Sequence, residues 1–250
     1  MDKSRSWSQS RKHAPQWPAA GSGAKKKRKR KMRTIGIRVF VLATALLALA
    51  ISIAPMSAQE ARPPSGRVAY HFVARLLQGP SGFFVIGYVN FLDGVSAPMF
   101  DGTASETTAV MTFRSDLFSV APLFNGNVTV LNWPAAPAPV VKFYLNNSPK
   151  QDWNQPDSFS GGQLIGSFSG RVGQIAITGT TAVVTYSYDW ISTRDFSLGG
   201  KMVNLGRLSP DGGTISNYVS AVPVPTTVAG FPAALTSAGT SFVIGPGSKD

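Results

Sequence analysis

The chain has 250 residues, of which 43% are hydrophobic and 14% charged. It has no cysteine, which excludes a disulfide scaffold, a thiolate metal site and a cysteine nucleophile. The formal charge of +12 sits in the first quarter: residues 1–58 hold 13 Lys/Arg against Asp2 alone, and residues 59–250 hold 11 charges of each sign.

Residues 1–31 are polar and basic and end in the run Lys25-Lys26-Lys27-Arg28-Lys29-Arg30-Lys31. They lack apolar periodicity, so a disordered leader is expected. Residues 39–54 form an apolar run without charge, followed by Met56-Ser57-Ala58 and the polar Gln59-Glu60. A positive segment, an apolar segment and a small residue make the order of a secretory signal, with the cut expected after Ala58. Read from Met32, residues 32–58 form a signal of ordinary length, and residues 1–31 then read as a start-site extension. The expectation is a secreted or periplasmic protein. The alternative is an uncleaved single-pass anchor with a cytoplasmic N-terminus, touching the membrane through residues 32–58 only.

Residues 59–66 read as a linker, and residues 67–250 as one all-β domain. Short apolar stretches recur there between Gly, Pro, Asn and Asp, which predicts an antiparallel barrel or sandwich of about 8–10 strands. In 67–77, Tyr70, Phe72, Ala74 and Leu76 share one face, and His71, Val73 and Arg75 the other. Residues 82–92 are apolar on both faces, as in a central strand. Further strands are expected at 107–114, 126–133 and 139–146. Residues 163–169 and 172–178 flank Gly170-Arg171 and read as a hairpin. Residues 181–191 place Ala182, Val184, Tyr186, Tyr188 and Trp190 on one face. Weaker strands are expected at 200–208, 216–223 and 240–244. The Pro-rich, small-residue stretch 221–239 reads as an edge segment wrapping the barrel or as a loose tail. No stretch after residue 58 has the pattern of a long amphipathic helix.

Catalytic motifs are scarce. After residue 58 there is one histidine, His71, two glutamates, and no G-x-S-x-G elbow. His71 is expected to face solvent or to stack on a ring. Most aspartates fall in turns; Asp189 lies inside a strand and is expected to point outward or pair with Arg194. The loop 147–160 brings Asp152, Asn154 and Asp157 close in sequence. These are oxygen ligands that a calcium ion would accept, although the same pattern closes turns on its own backbone. Trp153 in that loop reads as a packed anchor or an exposed platform for a ligand. A barrel of about eight strands has room for one small apolar ligand, in a cavity expected at roughly 300–1,000 Å³, for which Trp153, Tyr186, Tyr188 and Trp190 are the candidate contacts. No cofactor is expected apart from that calcium, and the neutral exported part offers no phosphate-binding charge surplus for nucleic acid.

The expected function is therefore a non-catalytic exported domain binding a small apolar ligand. The alternatives are a structural or surface-interaction protein without a small ligand, and a hydrolase or isomerase using carboxylates and tyrosines.

Overall fold

A strand that is apolar on one face must bury that face, and here eight antiparallel strands do so by closing into a barrel. The computed structural model describes residues 65–133 and 138–245. The expected leader, the signal or anchor, and linker residues 59–64 lie outside the described residues. The wall runs β1 (Val68–Gly79), β2 (Gly82–Leu92), β3 (Met111–Ser115), β6 (Val140–Leu145), β7 (Gln163–Thr178), β8 (Thr181–Thr193), β11 (Gly213–Ser220) and β13 (Ala233–Val243). Each pairs with the next, and β13 returns to pair with β1. This is an up-and-down barrel with three insertions, and the barrel reading of the sequence holds. Among the described residues no helix is long and apolar enough to cross a membrane.

The insertions are local. β4 (Pro122–Asn125) and β5 (Val128–Trp133) form a hairpin that lies along the far half of β7. β9 (Phe196–Leu198) pairs with β10 (Lys201–Val203), and a single helical turn, α1 (Leu205–Leu208), follows. β12 (Val224–Pro225) lies against the start of β13.

Three sequence expectations are corrected. Residues 163–178 are one 16-residue strand, not a hairpin about Gly170-Arg171. β8 pairs with β7 along almost its whole length and absorbs a register shift between Gly170 and Gly173. The reversal comes at Gly179, whose φ of +54° suits glycine. Second, residues 233–239 are no tail: they belong to β13, the strand that closes the wall. Their small side chains mask the alternation, and it is the partners β1 and β11 that hold them extended. Residues 221–232 do wrap the outside. Third, β3 begins at Met111 rather than at 107, because residues Glu106–Thr108 turn as a short 3-10 segment. There Thr108 Oγ1 donates to Thr103 O (2.6 Å) and accepts from Ser105 N, local bonds that compete with the strand ladder.

The core has an inside and an outside. Inside, Tyr70, Phe72, Phe113, Phe143, Phe168 and Tyr188 pack at one end of the barrel. That end also receives Phe196, Leu198, Val203 and Leu205 from the β9–β10 hairpin and α1. Outside, Leu77, Phe84, Ile86 and Ala234 are covered by Phe159 and Trp153 of the 147–160 loop and by Val224, Val228 and Phe231 of the wrapping segment. This second cover explains why β2 is apolar on both faces.

Gly173 shows how tightly β7 and β8 approach. A Cβ there would strike the Thr185 carbonyl oxygen and Tyr186 Cβ, both on β8. Gly173→Ala is therefore expected to destabilise the protein by about 2 kcal/mol. Gly161→Ala, whose Cβ would meet only Ser158 O at 3.6 Å, is expected to change stability by less than about 0.5 kcal/mol. Urea unfolding of the two variants measures both.

Candidate functional site

The inward faces of the wall set the candidate site. β1 points Tyr70, Phe72, Ala74 and Leu76 inward, and β8 points Val184 and Tyr186 inward, as the alternation predicts. Between them lies a cavity of about 80 Å³, well below the roughly 300–1,000 Å³ expected of a ligand-binding barrel, because the large aromatic side chains of the inward faces fill most of the interior. Its walls also include Phe113, Phe143, Phe168, Ile175, Ile215 and Val219. The polar members are Tyr70, Ser115, Tyr186, Asn217 and Ser237. Among the described residues lining it, none is a carboxylate, an imidazole, an amine or a guanidinium.

The four aromatic candidates divide. Tyr186 lines the cavity. Tyr188 and Trp190 lie further along β8, in the packed aromatic end. The Tyr188 ring stacks on Phe168 at 4.3 Å, and its hydroxyl shares hydrogen bonds with Ser241 Oγ (2.9 Å) and Ser209 Oγ (3.4 Å). Trp190 Nε1 donates to Ser209 Oγ at 2.9 Å and to Ser209 O at 3.1 Å. Trp153 is elsewhere, on the outer surface of the wall. Its ring lies 4.9 Å from Phe159 and 5.9 Å from Tyr88, with the Arg75 guanidinium over it at 4.7 Å. The sequence thus places three of these residues on one face, and the fold brings one of the four to the cavity.

The oxygen-rich loop is engaged locally. Asp152 Oδ1 accepts from Asn154 N at 2.8 Å, and Oδ2 from Gln155 Nε2 at 3.4 Å. Asp157 turns instead to the Arg114 guanidinium. Among the described residues no three His, Cys, Asp or Glu gather as a metal-holding group. The other acids also face outward. Asp189 pairs with Arg171 Nε at 3.2 Å rather than with Arg194, because the shifted register of β7 places Arg171 beside it. Asp93, Asp116 and Asp195 pair with Arg67, Lys142 and Arg207. His71 lies on the outer face of β1, with its ring 5.1 Å from Phe91 and Nδ1 2.8 Å from Thr240 Oγ1.

Two residues that sequence reasoning passed over stand out in the cavity wall. Asn217 Nδ2 donates to Ser237 Oγ at 2.7 Å, while its Oδ1 is buried without a partner. Asn217 sits between Ile215 and Val219 on the inward face of β11, and this polar break in an apolar alternation was the available signal. The Tyr70 hydroxyl faces the Tyr188–Ser241 pair without reaching hydrogen-bond geometry.

No protein-family model, curated protein or solved structure matches the chain.

Burial raises the pKa of Tyr70 well above the ordinary value of 10, and burial likewise raises those of Tyr186 and Tyr188. A phenolate is disfavoured there because it would leave water for an apolar wall. The unfolded chain releases these protons near pH 10 and the folded one later, so the folded state binds more protons above pH 10. Stability from this source is complete below pH 10 and is lost as pH rises beyond it. Phenolate absorbance is expected to develop in two stages, with the three buried tyrosines ionising only as the fold is lost. For the outer surface, Trp153→Ala is expected to cost about 2–3 kcal/mol by uncovering Phe159 and Arg75, measured by thermal unfolding.

Proposed function

We propose that residues 59–250 form an exported, non-catalytic β-barrel that holds a small apolar ligand in its interior. The observation that carries this reading is the cavity of about 80 Å³ inside the wall, apolar over most of its lining and without any charged group. An eight-stranded barrel encloses space that is either filled by side chains or left for one small molecule. Here Phe196, Leu198, Val203 and Leu205 pack against the interior aromatics, and a small space remains beside Tyr70, Phe72, Phe113, Phe143 and Phe168. Export is supported by the basic segment, the apolar run and Ala58 before Gln59, and by the even charge of the remainder, which also argues against a nucleic-acid partner.

The hydrolase or isomerase reading finds less support. General acid–base chemistry needs ionisable groups converging on a substrate space. The aspartates at 93, 116, 157, 189 and 195 are held in ion pairs on the outer surface. The cavity offers only tyrosines whose burial keeps them protonated.

The protein purified from its own envelope and medium fractions tests both halves. Intact mass is expected to start at Gln59; a mass that includes residues 32–58 would make it an anchored protein. Extraction under denaturing conditions is expected to release a recurrent small apolar compound. An empty extract, together with an unchanged xenon NMR signal on adding the protein, would remove the ligand-binding reading, since dry apolar cavities take up xenon.

A further inference from the structure

Charge is unevenly placed along the barrel axis. Residues 76–92, 117–141, 172–188 and 212–248 contain no Asp, Glu, Lys or Arg. The connections at one end of the wall fall in these stretches: 79–82 between β1 and β2, 117–139 between β3 and β6, 179–180 between β7 and β8, and 221–232 between β11 and β13. The connections at the opposite end, 93–110, 146–162 and 194–212, hold four Lys/Arg and seven Asp/Glu. The charges nearest the neutral end, Asp116 and Lys142, stand at the base of the β3–β6 connection and pair with each other at 2.8 Å.

The neutral end also presents apolar side chains. On β4, beside the tip of the β4–β5 hairpin, Phe124 is 77% exposed and Leu123 55%. Leu117 and Val222 are about half exposed. Across the ladder Phe124 pairs with Thr129, Thr129 with Ile177, Ile177 with Ala182 and Ala182 with Val219. Ala182 and Val219 are buried in the interior, so Phe124 ends an inward row at the rim of the barrel. Leu123 points to the other face. The hairpin tip is therefore apolar on both faces.

Exposed apolar side chains of this kind mark a contact with protein or with membrane. A protein partner is held in register by a polar rim and complementary charge, and this end has no charge to supply either. Its apolar residues stand on separate connections, with Gly, Asn, Ser and Thr between them. A bilayer asks for no matching shape. It penalises charge carried toward its hydrocarbon, and this end carries none.

We propose that the charge-free end of the barrel docks on a lipid bilayer, with Phe124 and Leu123 of the β4–β5 hairpin entering the acyl boundary. The contact is separate from residues 32–58 and does not depend on a ligand in the interior. Its attraction comes from apolar area rather than from anionic lipid.

Because the chain has no cysteine, one introduced cysteine can carry a polarity-sensitive dye without background. Asn127→Cys places the dye at the hairpin tip and Lys150→Cys at the opposite end. Each labelled protein is mixed with vesicles of phosphatidylcholine, and with vesicles of phosphatidylcholine and phosphatidylglycerol. The tip dye is expected to brighten and shift to the blue with both, equally at low and high salt, while the dye at 150 stays unchanged. The dye reports on the tip itself, so a retained leader does not imitate this result. Phe124→Ser in the Asn127→Cys protein is expected to weaken the tip's partitioning by about tenfold, and Leu123→Ser to weaken it less. Both side chains are largely exposed, so the fold tolerates their replacement. No response of the tip dye to either vesicle, or an equal response at 127 and 150, would overturn the proposal. A response confined to anionic vesicles and lost at high salt would overturn its apolar basis. A tip response that grows with protein concentration in the absence of vesicles would assign this end to a second copy of the chain instead.

Discussion

The hydrogen bonds between β1 and β13 join the two ends of the wall, and the rest of the structure depends on them. Ten residues of β1, from Val68 to Gln78, find partners between Ala233 and Phe242. Without that ladder the sheet would have two long free edges and no enclosed interior. With it, every inward side chain is surrounded by others, and the tyrosine hydroxyls and Asn217 are removed from water. The closing strand is poor in large side chains: Ala233, Ala234, Ser237, Ala238 and Gly239 supply much of it. Its backbone bonds and the bulk of its neighbours hold it in place. At Gly239 a Cβ would meet Phe72 and Asn217, so the smallness of this strand makes room for the larger residues facing it.

A second constraint is the double duty of β1 and β2. One face of each builds the interior, while Leu77, Phe84 and Ile86 need cover on the other. The 147–160 loop and the 221–232 segment provide that cover, with the fully buried Phe159 and the partly buried Trp153 coming from the loop. The Arg114 guanidinium, paired to Asp157 and lying over the Phe84 ring at 5.4 Å, fastens the same loop to the wall. The ion pair itself is largely exposed and contributes about 1 kcal/mol at most. The apolar contact beneath it does the larger share.

Separation of charge from apolar space follows from the same arrangement. All five ion pairs described above lie on the outer surface, where water offsets the cost of holding a charge. Among the described residues, the polar side-chain groups of the interior are hydroxyls, the Trp190 indole N–H and the Asn217 amide. At the aromatic end Tyr188 and Trp190 bond to Ser209 and Ser241, whereas the Tyr70 hydroxyl has no partner. The Asn217 oxygen has none either.

The all-β class, the neutral domain after a basic start, and the inward sets on β1 and β8 were legible in the sequence. They depend on a two-residue period that the backbone imposes on any extended segment. The bounds of β2 were legible too, since glycine opens it and the apolar run defines its length. The long course of β7 was not, because Gly170-Arg171 looks locally like a turn and only pairing with β8 and β5 makes it a bulge. The closing role of 233–239 was hidden for a related reason: small residues carry no periodic signal, and their extended state is imposed by neighbours distant in the chain. The same holds for the site. Tyr186 could be placed inward by alternation, but Trp153 could be assigned to the outer wall only once the loop's packing was seen. That Asn217 and Ser237, 20 residues apart, meet with one oxygen left over is a property of strand register, which tertiary structure alone decides.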